Sequence, residues 1–286
     1  MRIALTGASG FIGGRLVPGL RARGHKCTLI RHGEGGWPAD LLDGADAVIH
    51  LAGEPVAQRW NDAVKRRIRD SRVDGTRKLV RAIAATTQKP AVLVSGSAIG
   101  IYGSRGDEIL TESSAPGEGF LADVTREWES AADEATALGI RVIQIRTGIA
   151  LGPEGGTLKK LLPIFRAGIG GRVASGRQWM SWIHADDLAD LFMFAVRQET
   201  VHGVLNGTAP DPVTNAEFTR ELARALHRPA VFPVPLFALR LLYGEMADVV
   251  VASQRVLPRA AEDAGFRFRY PELRIALEAL LASKAI

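Results

Sequence analysis

The sequence predicts an α/β chain built on a doubly wound parallel sheet, with a smaller C-terminal lobe. Three observations predict it. Short Val/Ile/Leu runs alternate with helical stretches, the rhythm of strand–helix–strand units. The runs are continuously apolar, as strands covered on both faces are. And Gly7, Gly10 and Gly13 follow directly on the first run, where a strand must turn tightly into a helix.

The elements follow in order. RIAL (residues 2–5) is the first strand. A helix is predicted over about 11–23, and Gly24 stands where a helix C-cap wants positive φ. KCTLI (26–30) and AVIHL (47–51) are the next strands. The basic stretch VKRRIRDSRVDGTRKLVR (64–81) has helical spacing, and AVLVS (91–95) follows it. An Ala/Glu-rich helix over 122–138 is stopped by Gly139, and RVIQIR (141–146) is another strand. Beyond Arg146 the rhythm loosens into LGPEGG and AGIGGR. A helix starts near Asp186, with Asp186 and Asp187 as its caps. Another starts near Asn215, where Thr214 and Glu217 make a capping-box pair. VLNGTA (204–209) reads as a late strand and PAVFPVPLF as an extended connector. The division is therefore a sheet domain over 1–150 and a smaller substrate lobe over 151–286, partly interleaved with the sheet.

Composition sets the outer limits. A chain of 286 residues, 47% hydrophobic and 23% charged, forms a core without disulfides or a structural metal. Cys27 is the one cysteine, so a reducing, cytoplasmic setting is expected. The first strand begins at Arg2, leaving no room for a signal peptide. VFPVPLFALRLLYG is too short and too broken by Pro233, Pro235 and Arg240 to span a bilayer. A net charge of +5 reads as a soluble surface with some positive charge near an anionic ligand. The 64–81 cluster has no interleaved aromatics for base stacking, so no nucleic acid is expected. The six histidines are scattered, with no zinc-type spacing, and no G-x-S-x-G elbow occurs.

The glycine loop points to a dinucleotide. Gly7 permits the turn, Gly10 lets the backbone approach a diphosphate, and Gly13 lets the helix pack close to the strand. The helix then turns its free N–H groups and positive dipole end toward the anion. Ser9, Phe11 and Ile12 complete the expected loop contacts. An NAD site carries an acidic residue at the end of the second strand. Here that strand ends in Arg31 and His32, and a guanidinium suits a 2′-phosphate. NADP(H) is the expected cofactor. Glu34 stands too late to replace the acidic residue.

These motifs together resemble the extended short-chain dehydrogenase/reductase superfamily, its NAD(P)-dependent epimerase/dehydratase group, a Rossmann fold. TGASGFIG looks like the cofactor loop and VIHLAG like the fourth-strand motif. RVDGTRKLV, SGSAIGIYG, RTGIALGP and SWIHADDLA look like the later ones. AGEPVAQRW, IRDSRVDGT, GRQWMSWIH, PVTNAEF and RPAVFPVP with SQRVLP resemble, more narrowly, the epimerase family proteins that carry a C-terminal domain of unknown function. By that resemblance Leu51, Ala52 and Gly53 line the adenosine and diphosphate side. Arg72 stands where the superfamily has Asn, within reach of a phosphate or the nicotinamide ribose. Ser95 and Arg146 join the cofactor contacts, Arg146 at the nicotinamide half. A homodimer is a common assembly of the superfamily.

Two departures stand out. About sixteen residues separate Ile30 from Ala47, too few for a full third strand with its helix. That edge strand is expected to be shortened or absent, with Trp37 covering the edge. The superfamily's Tyr and Lys, four residues apart, fall in GFLADVTREWE at Leu121 and Thr125, which do no acid–base work near neutral pH. Ser97 either orients a substrate oxygen or caps a strand-end turn. Tyr102 either reaches the cleft or is structural. Glu54, Trp182 and His184 are the candidates on the substrate side. Two functions are compatible with these residues: an NADP(H)-dependent oxidoreductase or epimerase acting on a small hydroxylated or sugar-nucleotide-like substrate, or an NADP(H)-binding sensor or assembly factor without turnover.

Overall fold

The computed structural model describes residues 1–33 and 36–282. The first half runs β1 (Arg2–Thr6), α1 (Phe11–Ala22), β2 (Lys26–Ile30), α2 (Ala39–Leu42), β3 (Ala47–His50), α3 (Asp62–Ala84), β4 (Val92–Ala98), β5 (Ile109–Leu110), α4 (Phe120–Asp133) and β6 (Arg141–Thr147). The second runs β7 (Ile149–Gly152), α5 (Gly156–Arg166), β8 (Trp179–Met180), β9 (Trp182–His184), α6 (Ala185–Arg197), β10 (Gly203–Gly207), β11 (Val213–Thr214) and α7 (Asn215–Ala225). It closes with α8 (Leu236–Tyr243), α9 (Met246–Val250), β12 (Arg255–Val256), α10 (Arg259–Asp263) and α11 (Leu273–Ala282).

Six strands form the central sheet in the order β10-β6-β4-β3-β1-β2, all parallel. Alternate side chains feed two separate cores, which is why the strands read as continuous apolar runs. Ile3, Leu5, Ile49, Val94 and Ile143 pack under α1 and α6. Ala4, Val48, Leu93 and Val142 pack under α3 and α4 on the other face. A third core, built from Leu158, Phe165, Phe218, Leu222 and Leu277, joins α5, α7 and α11 into the smaller lobe.

β2 is the sheet edge among the described residues: the slot of a further outer strand holds only α2 and its flanking loops. Trp37 is buried there. Its indole Nε1 donates to the Gly75 carbonyl of α3, and its ring meets His32 and His50 edge-on. The buried indole thus packs on the sheet face beneath α3, near the end of β2.

The caps hold with one correction. Gly24 and Gly139 lie at positive φ, and Thr214 and Glu217 make the full capping box of α7. At α6, however, the cap is His184, whose Nδ1 accepts from the Asp186 amide. Asp187 is buried, and its carboxylate accepts from the amides of Arg269 and Tyr270, tying the C-terminal segment to α6. Asp186 and Asp187 are therefore not the helix caps that the sequence suggests. None of the described helices is long and apolar enough to cross a membrane.

Candidate functional site

The glycine loop has the geometry its spacing implies. Gly7 sits at φ +71°, and a Cβ there would lie 2.6 Å from the Leu51 carbonyl carbon. A Cβ on Gly13 would lie 2.4 Å from the Gly7 oxygen, so only glycine lets α1 pack this close to β1. Gly10 is the N-cap of α1 and has no side chain to cap it, and no acidic residue lies in the first turn. The amino end of α1 is left for an external anion.

A cavity of about 340 Å³ opens beside this loop, lined by Gly7, Ser9, Arg31, His32, Trp37 and Ala52 among others. Arg31 is exposed just past β2, and among the described residues it has no ion-pair partner. Glu34 lies outside the described residues. Glycines that a Cβ would block, an uncapped helix end and an unpaired guanidinium beside them fit a phosphorylated dinucleotide. Ser9 also lines the far side of the loop with Gly10 and Phe11. Gly152, Gly155 and Gly156 surround the Phe11 ring so closely that a Cβ on Gly155 would lie 2.4 Å from its Cγ. Ile12 points the other way and packs on the sheet core.

A second cavity, of about 360 Å³, lies where the carboxyl ends of β4 and β6 meet the smaller lobe. Ala98 to Gly100 and Thr147 to Ile149 form its floor, and Met246, Val249 and Gln254 close it from the C-terminal side. Leu121 and Thr125 sit one turn apart on α4 and both line it. Neither residue can move a proton near neutral pH. Arg72 is the one ionisable side chain among the described residues that line it.

Arg72 is held in one orientation. Its Nη1 donates to the carbonyls of Glu54 and Ile68. The guanidinium lies 5.2 Å from the Trp128 ring centre on one side and against Gly53 on the other, where a Cβ would stand 3.3 Å from its Cζ. Burial lowers its pKa to about 10, with Glu54 acting in the opposite direction. Glu54 itself is half-buried and accepts from Gln58 and Arg67, at the side of Arg72 away from the cavity lining. The Gln58 amide, then Arg67, holds its carboxyl below the usual range.

Several expected site side chains lie elsewhere. Arg146 is buried against Glu129, with Nε and Nη2 on the two carboxylate oxygens. Ser97 donates to the same carboxylate. The Tyr102 hydroxyl accepts from Arg146 and donates to Asn206. Burial works against the Arg146 cation, but Glu129 more than offsets it and keeps it charged. Burial also pushes the Tyr102 phenol up. Arg146, expected at the cofactor, and Ser97 and Tyr102, each expected either at the site or in a structural role, here close one internal polar network around a buried carboxylate that must be satisfied.

Ser95 is buried mid-strand with its hydroxyl on the Gly96 carbonyl, so its side chain is not a cofactor contact. Trp182 is wholly buried in the smaller lobe's core and donates to the Asp211 carbonyl. His184 is buried, caps α6 and stacks on Tyr270 at 3.8 Å. Neither side chain is among those lining the two cavities. Leu51, Ala52 and Gly53 lie at the end of β3, with Ala52 on the loop cavity and Gly53 beneath Arg72.

Trp128, Glu129 and Gln254 were not singled out from the sequence. Trp128 falls three residues after Thr125 and seven after Leu121, a helical spacing that places all three on one face of α4. Gln254 lies in a loop, and no periodicity marks it. Its amide donates to the carbonyls of Ile99 and Gly103 and fastens the C-terminal segment to the cavity floor.

Residues 3–206 match the NAD dependent epimerase/dehydratase family, and residues 234–280 match a domain of unknown function, DUF1731. The chain is 40% identical over 303 residues to the chloroplastic epimerase family protein SDR39U1 homolog of Arabidopsis thaliana, covering 98% of this chain and 87% of the relative. It is 37% identical over 301 residues to the epimerase family protein YfhF of Bacillus subtilis, covering 99% of each. The crystal structure of human epimerase family protein SDR39U1 with NADPH superposes with a TM-score of 0.91 at 34% identity, over 99% of both chains.

Proposed function

Because the chain belongs to the NAD dependent epimerase/dehydratase family, we propose that it binds NADP(H) and acts on a small hydroxylated or carbonyl-bearing molecule held in the apolar cavity beneath the C-terminal segment. The observation that carries the cofactor choice is Arg31, a cation without an ion-pair partner among the described residues, on the cavity beside the glycine loop. The human relative crystallised with NADPH supports the same reading.

A nicotinamide dinucleotide, when bound, supplies hydride donation or acceptance. The chain's own residues do the rest. The amino end of α1 holds the diphosphate, and Arg31 meets the 2′-phosphate. Leu121, Thr125 and Val249 line the second cavity and shape it around the ligand. Arg72 offers fixed positive charge to an anionic group of the bound ligand. With Leu121 and Thr125 facing the cavity, protons come from solvent. A sugar nucleotide fits less well, since its diphosphate needs several cations and the cavity lining supplies Arg72 alone. Residues 1–150 then carry the dinucleotide, and 151–286 cover the substrate.

Leu121 and Thr125 also favour a second reading, an NADP(H)-binding sensor without turnover. Calorimetric titration of the purified protein with NADPH and NADH tests the binding. NADPH is expected to bind at least about tenfold tighter, a difference of about 1.4 kcal/mol. Absence of heat with either nucleotide overturns the proposal. A panel of small carbonyl compounds and alcohols, followed by nicotinamide absorbance, then separates the enzyme from the sensor.

A further inference from the structure

The Arg72 guanidinium has donors to spare. Its Nη1 is engaged by two backbone carbonyls, while its Nε and Nη2 have no hydrogen-bond partner among the described residues and are not sealed from solvent. Those two nitrogens form the side of the guanidinium that binds planar oxyanions through two parallel hydrogen bonds. No carboxylate stands among the residues lining the cavity to satisfy them. The plane is fixed between Gly53 and Trp128, so the direction of the fork is set before any ligand arrives. Around it the walls are apolar: Leu121, Leu161, Phe165, Phe218, Met246 and Val249. The nearby carboxylate, Glu54, accepts from Gln58 and Arg67 and makes no hydrogen bond to this fork, so a ligand anion can take it.

We infer that the ligand of this cavity is a predominantly apolar monocarboxylate, its carboxylate on the Nε and Nη2 of Arg72 and its hydrocarbon body between α4, α5, α7 and α9. The inference rests on the reading of this cavity as the substrate site and narrows its substrate class. Two competing occupants are excluded on chemistry. A neutral hydrocarbon leaves the guanidinium unpaired. A nucleoside diphosphate sugar brings two phosphates to a lining with one cation: Thr125, Thr147, Thr157, Asn215, Thr219 and Gln254 offer hydroxyls and amides, but no second positive charge.

The test is calorimetric titration of the intact protein, with and without NADPH, using octanoate, 1-octanol and UDP-glucose as probes. Octanoate is expected to bind at least about tenfold tighter than 1-octanol, the difference being the charged fork. In Arg72→Gln that gap closes, 1-octanol affinity stays within about twofold, and NADPH affinity is unchanged. Arg72→Lys, which keeps charge but loses the fork, falls between. Equal affinity for octanoate and 1-octanol in the wild-type protein overturns the inference without need of any variant. So does Arg72→Gln weakening NADPH as much as octanoate, which would assign the guanidinium to a cofactor phosphate, and so does preferential binding of UDP-glucose. Failure of NADPH to bind, with octanoate behaving as expected, overturns the dinucleotide reading and leaves this one supported.

Discussion

The Arg146 guanidinium meets the Glu129 carboxylate through two hydrogen bonds, Nε to Oε1 at 2.8 Å and Nη2 to Oε2 at 2.7 Å, with both side chains nearly buried. Glu129 lies on α4 and Arg146 on β6, so the pair ties a covering helix to the sheet. Removing one partner leaves the other charged and unpaired. Arg146→Met should therefore cost about 3–5 kcal/mol in urea unfolding, whereas replacing both partners with apolar residues should recover most of it. NADPH affinity of the folded single variant should be unchanged. A tenfold loss there would return Arg146 to the cofactor site.

Arg31 and the glycine loop share one cavity, and charge decides the coenzyme. Arg31→Asp replaces attraction by repulsion at the 2′-phosphate. NADPH should weaken by about 10- to 100-fold, while NADH changes little, since one charge-assisted contact contributes about 1.5–3 kcal/mol. Equal losses for both coenzymes in a binding titration would remove Arg31 from the 2′-phosphate.

Gly13 shows how closely α1 is drawn to β1. In Gly13→Ala the new methyl would lie 2.4 Å from the Gly7 oxygen and 2.7 Å from Ala8 Cα, both backbone atoms that cannot rotate away. The helix must shift, at a cost of about 1–3 kcal/mol. The glycine loop moves with it. We expect a lower Tm together with weaker NADPH and NADH binding in equal measure. Unchanged binding at lowered Tm would detach the loop from the helix start.

The wild-type fold should lose stability on acidification through two buried histidines. Burial lowers the pKa of both His50 and His184 to about 4. Each is neutral in the native state at pH 5, while the unfolded chain takes up a proton below about 6.5. The unfolded state then binds more protons, so stability is complete above about pH 6.5 and falls as pH drops toward 4. Each histidine contributes up to about 3 kcal/mol over that window. Asp187, raised by burial, runs in the opposite sense. His184→Asn keeps a capping acceptor for α6. Its urea-unfolding stability should change less between pH 7 and pH 5 than that of the wild type; parallel profiles would show that His184 does not titrate on unfolding.

Much of this was legible in the chain. The apolar runs, the glycine spacing, Gly24, Gly139 and the Thr214–Glu217 box each encode local geometry, and local geometry is what periodicity and turn chemistry specify. The short interval between Ile30 and Ala47 foretold the missing edge strand, because a crossover has a minimum length. Leu121 and Thr125, four residues apart, both line the cavity because such positions share one helix face. Other sites depended on long-range partners. Nothing near Arg146 in sequence announces Glu129, and nothing near Asp187 announces the amides of Arg269 and Tyr270. The strand-end residues Ser97, Tyr102 and Arg146 looked like a site because strand ends of such sheets face clefts, yet their shared carboxylate turns them inward.

The absence of a proton-moving pair at positions 121 and 125 has a measurable signature. Where a tyrosine and a lysine share a proton, rate and binding change with pH in the neutral range. Here the ionisable side chain that lines the cavity is Arg72, whose pKa burial lowers to about 10. Its cation is present at lower pH and is lost as pH rises through that value. Octanoate affinity, and kcat/KM for any substrate the panel yields, should therefore be flat from about pH 6.5 to 9 and fall only above about 10. The lower bound keeps the measurement clear of the histidine-linked loss of stability. Arg72→Lys should bring the upper fall to lower pH, because a buried ammonium loses its proton more readily than a guanidinium. A limb between pH 7 and 8 in the wild-type profile would mean that a side chain outside the lining enters the cavity to carry a proton, and the solvent-proton mechanism would have to be abandoned.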